Sequence, residues 1–136
     1  MKRFKAFTVI EMLITVTTIS ILVLIFLPRL FYFIEYSKAA EAFLNFGSIR
    51  QSVERCMAFQ RSYRKCADFN VIDVGDPSSS TNSHFNYELS DVSRYGYKIV
   101  ATRNMHEGGD GLSTIYFEYN NSQIIKSGTG VFKKLH

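Results

Sequence analysis

Two hydrophobic patterns follow one another along the chain. Positions 7 to 27 are apolar or hydroxyl-bearing apart from a single charge, Glu11. Read as a helix, that run of 21 residues reaches about 31 Å at ~1.5 Å per residue, the hydrocarbon width of a bilayer. Further on the pattern becomes one-sided. Ala39, Phe43, Phe46, Ile49, Val53, Met57 and Gln60 recur at spacings of three and four, all but the last apolar, while Glu41, Asn45, Ser48, Ser52 and Arg55 fall between them. That period places one stripe of a helix against a core. Glu35, Lys38 and Glu41, and Arg50 with Glu54, add charge pairs at helical spacing. Only Pro28 interrupts the sequence, and a proline inside a helix kinks it or melts a turn. The pattern predicts one helix from Phe7 to near Tyr63, apolar all round in its first half. A helix of that length is too long to lie wholly inside a small compact domain, so its first half is expected to project.

From Asp68 the texture changes. Asp76-Pro77-Ser78-Ser79-Ser80-Thr81-Asn82-Ser83 has the composition of a loop. Beyond it, period-two segments predict strands over 85–89, 95–103, 112–119 and 123–126, with a further one over 130–134. Tyr97, Ile99 and Ala101 alternate with Lys98, Val100 and Thr102; Ile115, Phe117 and Tyr119 alternate with Tyr116 and Glu118. The run from His106 to Gly111 and the triplet Asn120-Asn121-Ser122 read as hairpin turns. Consecutive hairpins make an antiparallel sheet with one face free to cover the helix stripe. The expected fold is therefore α+β. Its parts are a short leader (1–6), an apolar half-helix (7–34) and a head (35–136). Within the head we expect helix to about 63, loop over 64–84 and a sheet of three to five strands over 85–134.

Composition fits this division. A mean hydropathy near zero averages two unlike parts. The isoelectric point of 9.1 suggests nucleic acid at first sight. However, Lys2, Arg3 and Lys5 all precede the apolar run. Without them the basic residues fall from 16 to 13 against 12 acids, and the formal charge from +4 to +1. The basicity is largely a topology signal: it places the N-terminus in the cytoplasm and the head outside. A near-neutral head argues against a nucleic-acid partner. Arg50, Arg55, Arg61, Arg64 and Lys65 gather towards the predicted helix end, where the helix dipole favours them. No A-x-A-like cleavage site follows the run, so the run is expected to be retained.

Chemistry-bearing residues are few. Cys56 and Cys66 are the only cysteines. Outside the cytoplasm they are expected to form a disulfide, with a pair of free thiols as the other reading. His84, His106 and His136 stand far apart in sequence with no metal-binding spacing, and neither a G-x-S-x-G nor a phosphate-binding loop is present. No cofactor and no enzymatic activity are expected. The aromatic residues along the helix are read as packing and interface residues.

One residue stands out against this background. An ionised glutamate deep in a bilayer costs roughly 2.5 to 3.5 kcal/mol on insertion scales. Lys2-Arg3-Phe4-Lys5-Ala6, then Phe7, Thr8, Val9-Ile10 and Glu11, and finally Pro28 match a pattern. The opening resembles the N-terminus of type IV pilins and of type II secretion pseudopilins, with Glu11 fifth and Pro28 twenty-second counting from Phe7. The match is specific over the first thirty residues; the helix, loop and hairpins that follow are similar to the pilin architecture without a further motif. The resemblance implies cleavage between Ala6 and Phe7 by an aspartyl prepilin peptidase and N-methylation of Phe7. It also implies pairing of Glu11 with the Phe7 amine of a neighbouring subunit, and loss of helical order at Pro28. Its partners would be further copies of the chain or of related subunits, the inner membrane before assembly, and the pilus or secretion machinery. The chain departs from the family at Ala6, where glycine is usual, so slower cleavage is expected. The alternative is a single-pass, membrane-anchored periplasmic binding protein that never polymerises, with Glu11 snorkelling at the membrane edge.

Overall fold

The computed structural model describes residues 7–135. The leader expected at 1–6, and with it Ala6, lies outside these residues, as does His136. One helix, α1 (Val9–Gln60), is followed by four strands: β1 (Phe85–Ser90), β2 (Gly96–Arg103), β3 (Thr114–Asn120) and β4 (Gln123–Gly128). The fold is α+β and pilin-like in its elements. The chain divides into two compact units between Ile34 and Glu35.

In the first unit α1 is apolar on every side, and all its residues from Val9 to Ile34 are exposed. The helix is long and apolar enough to cross a membrane. The hydroxyls in this stretch turn inward on the helix: those of Thr15, Thr17, Thr18 and Ser20 each donate to a carbonyl three or four residues back. No hydroxyl of these four therefore needs water or a partner helix. Pro28, read from the sequence as a break, lies inside α1, which continues through it. A proline costs a helix one amide donor and crowds one carbonyl, and here that cost does not end the helix.

The second unit is a head built on the later turns of α1. Ala39, Ala42, Phe46, Ile49, Ser52 and Val53 are its buried positions. The stripe differs from the predicted one at its edges. Phe43 and Met57 are half-buried and Gln60 is exposed, while Ser52, read as outside the stripe, is buried, as is Ala42. Ser52 is tolerated there because its hydroxyl bonds to the Asp73 carboxylate. Helix α1 also ends three residues early, at Gln60. Arg61 takes φ of 55° and its N–H donates to the Met57 carbonyl at 2.7 Å, a left-handed helix stop. Tyr63 instead starts a 3₁₀ turn, Tyr63–Cys66.

That turn is fixed to the helix by a disulfide between Cys56 and Cys66, whose Cα atoms are 6.0 Å apart. Closing so short a loop stabilises by about 2–3 kcal/mol in the chain-entropy model. Reduction is expected to lower the head's unfolding free energy by about that amount. Urea titrations with and without reductant, in detergent, measure it; a shift under about 0.5 kcal/mol would show that the bridge is incidental.

The sheet is a meander in the order β1-β2-β3-β4, antiparallel throughout. Register sets Tyr87 opposite Ala101, and Ile99 opposite Phe117. Phe85, Tyr87, Tyr97, Ile99, Ala101, Ile115 and Phe117 thereby face the α1 stripe and form one core with it. β3 and β4 join through Asn121-Ser122, both at positive φ, the two-residue turn that matches strand twist. The expected fifth strand over 130–134 is a 3₁₀ turn instead, Gly130–Phe132. Gly130 has φ of +58°, and a Cβ there would collide with the Ser113 side chain, so the chain curls at this point and drives Phe132 fully into the core.

Candidate functional site

Phe7, Thr8 and Glu11 lie at the start of α1. The Thr8 amide donates to Glu11 Oε2 at 2.9 Å, the Thr8 hydroxyl to the same oxygen at 2.8 Å, and the Glu11 amide to Thr8 Oγ1 at 3.3 Å. These reciprocal bonds are a capping box, which satisfies two of the orphan donors at a helix start. The signal was present in the sequence as Thr8-Val9-Ile10-Glu11. It identifies the bond that Glu11 makes within its own chain. Phe7 is 66 % exposed, one residue before the box.

The last turn of α1 contains no basic residue, and two of the predicted cluster, Arg50 and Arg55, have other partners. Arg50 lies over the Phe117 ring at 5.9 Å. Arg55 forks onto Asp73, Nε to Oδ2 at 2.8 Å and Nη2 to Oδ1 at 2.9 Å. Together with the Ser52 hydroxyl, Arg55 holds the Asp73 carboxyl down at about 2. A folded-state value below the ordinary one means that this contribution to stability is present above pH about 4 and lost as pH falls through about 2. Protection factors at the Val71 and Ile72 amides, corrected for the intrinsic pH dependence of exchange, should therefore fall across that window before the β2–β3 pair opens; simultaneous opening of both would contradict it.

A second constellation lies where β1 begins and β2 ends. Arg103, 1 % exposed, reaches Glu35 on α1 through Nε to Oε2 at 2.9 Å and Nη2 to Oε1 at 3.3 Å. Its Nη1 donates to the carbonyls of His84 and Asn104 and to Asn104 Oδ1, each at 3.0 Å. Lys38 adds a second cation on Glu35 at 3.0 Å. The Arg103 guanidinium is the chief reason that the Glu35 carboxyl titrates below its ordinary value. Gly109 gives this guanidinium room, because a Cβ there would meet Arg103 at 2.6 Å.

Beside it the histidines come together, contrary to their sequence spacing. The His84 and His106 rings are 5.8 Å apart between centroids. His84 Nδ1 is 2.5 Å from Glu41 Oε2, and its Nε2 is 2.8 Å from Glu107 Oε2. The two carboxylates, Glu107 first, push the His84 ring's pKa above its ordinary value. Packing of α1 on the sheet brings these residues together across 43 and 23 positions of chain, a juxtaposition that no local motif records.

Comparison of the chain with protein-family models, with curated proteins and with solved structures finds no match to any of them. The case for function therefore rests on the residues themselves.

Proposed function

We propose that the chain is a structural subunit of the type IV pilin or type II secretion pseudopilin kind, polymerising through its N-terminal helix. The observation that carries the reading is an apolar helix exposed on every side from Val9 to Ile34, with one carboxylate in its first turns. Such a surface needs a bilayer or other helices to cover it, and a filament core supplies the second once the first is left behind. The precursor sits in the inner membrane with Lys2, Arg3 and Lys5 on the cytoplasmic side and the head in the periplasm. A prepilin peptidase removes residues 1–6 after Ala6, and the new amine of Phe7 is methylated. Glu11 of one subunit pairs with the Phe7 amine of the next. Moving both charges out of water together costs far less than moving either alone. The capping box has to open for this exchange: Glu11 trades the Thr8 donors for a cation. Pro28 is the position where α1 can surrender helical order when subunits pack. The disulfide keeps the head folded in an oxidising compartment.

The capping box also favours a second reading. It gives Glu11 a partner in the isolated chain, as a membrane-anchored binding protein that never polymerises would require. Immunogold electron microscopy with an antibody against the head separates the two. A filament subunit labels filaments sheared from the cell surface, or periplasmic ones when the secretion machinery is overproduced. An anchor leaves all label in the membrane fraction.

A further inference from the structure

We propose that His84, His106 and Glu107 form a binding site for a divalent cation of the zinc class, with Glu41 as the residue that orients His84. The ligating atoms of the three residues all lie within 4.8 Å of one another. A tetrahedral zinc with bonds of about 2.0–2.2 Å sets its ligands roughly 3.4 Å apart, so His106 draws in while His84 Nε2 and Glu107 Oε2, now 2.8 Å apart, spread to admit the ion. The side chains that must move are free to do so: His106 and Glu107 are exposed, on the connection between β2 and β3.

The surroundings resemble the outer shell of a metal site. Glu41 Oε2 holds His84 Nδ1, which leaves Nε2 to face the Glu107 carboxylate and the His106 ring. A carboxylate behind a histidine fixes its tautomer and raises its basicity towards metal. Glu41 is itself positioned independently of any cation, by the His84 amide at 3.1 Å and the Ser83 hydroxyl at 3.4 Å. The connection is pinned too. The Asn104 amide donates to the His84 carbonyl at 3.0 Å, the Asn104 side chain to the Ser83 carbonyl at 2.7 Å, and the His106 amide to Asn104 Oδ1 at 3.0 Å. Both histidines thus rise from one short cross-strand ladder. Glu107 adopts φ of 51° and ψ of 42°, a left-handed conformation uncommon for glutamate, and from it the carboxylate reaches His84. Two histidines and one carboxylate leave a fourth position for water or for a ligand from another molecule. Lys38, 3.7 Å from Glu107 and 3.0 Å from Glu35, is the competing cation and keeps Glu35 when zinc takes Glu107.

The test is calorimetric titration of zinc chloride into the untagged, metal-stripped full chain in detergent at neutral pH. The expected result is one zinc per chain. Glu41→Gln should weaken binding by about 10–100-fold. His106→Ala and Glu107→Gln should weaken it further, and His106→Ala, at an exposed position, should do so while leaving the melting temperature of the zinc-free chain unchanged. Cobalt substituted for zinc should show tetrahedral visible bands in the parent and lose them in His106→Ala. Absence of stoichiometric binding, or affinity unaltered in both His106→Ala and Glu107→Gln, would overturn the proposal.

Discussion

Replacing Glu11 with glutamine is expected to abolish filament assembly while α1 and the head stay folded. Glu11 has two separable tasks. The first is local: its carboxylate closes the capping box with Thr8. Glutamine performs this task as well as glutamate does, since an amide oxygen also accepts from the N-cap amide. The second is electrostatic, and only a negative charge can pair with a protonated Phe7 amine on a neighbour. Leaving one member of a desolvated pair without its partner costs about 3–5 kcal/mol, a hundredfold or more in the association constant at each subunit added. Filament yield in the sheared fraction should therefore collapse for Glu11→Gln and for Glu11→Ala alike, with both chains still present in the membrane. Wild-type yield from Glu11→Gln would show that Glu11 is only a helix cap and that assembly does not run through a Glu11–Phe7 charge pair.

The second large effect is expected at Arg103. Arg103→Ala should destabilise the head by about 3–5 kcal/mol. The guanidinium ties three pieces together: Glu35 on α1, the carbonyl of His84 ahead of β1, and the Asn104 backbone after β2. Its removal takes one donor from each of two half-buried carbonyls, leaving that of His84 with only the Asn104 amide, and hollows out the volume of a long stem. Arg103→Lys should recover little, because an ammonium cannot fork onto Glu35 and reach the carbonyls at once. Glu35→Gln should cost less than Arg103→Ala, and the double variant less than the sum, since both act on one network. Urea unfolding followed by tyrosine fluorescence measures all four; a loss below about 1 kcal/mol for Arg103→Ala would contradict this assignment.

Arg103 also marks the limit of what the sequence discloses. The period-two runs at Tyr97-Ile99-Ala101 and Ile115-Phe117 predicted their faces correctly, because a half-buried strand leaves a local signature. The same holds for the turn at Asn121-Ser122 and for the near pair Cys56 and Cys66. Arg103 reads in sequence as an ordinary polar strand end. Its partner Glu35 is 68 positions away, and only the packing of β2 on α1 makes the arginine a core residue. The meeting of His84 with Glu41 and Glu107 leaves no mark in the sequence for the same reason, and spacing alone sets His84 aside. Ser52 looked like a solvent-facing serine until the loop after the helix brought Asp73 to it. The capping box is a different case: its four-residue signal was local, and was overshadowed by the more conspicuous position of Glu11 in an apolar run.

The central claim is that residues 1–6 are a leader and that Phe7 begins a subunit which assembles through Glu11. Mass spectrometry of the chain recovered from sheared filaments tests it most directly. The account predicts an N-terminal peptide that starts at N-methylated Phe7. Recovery of assembled chain that still carries Met1, or of the chain solely from the membrane in unprocessed form, would contradict it.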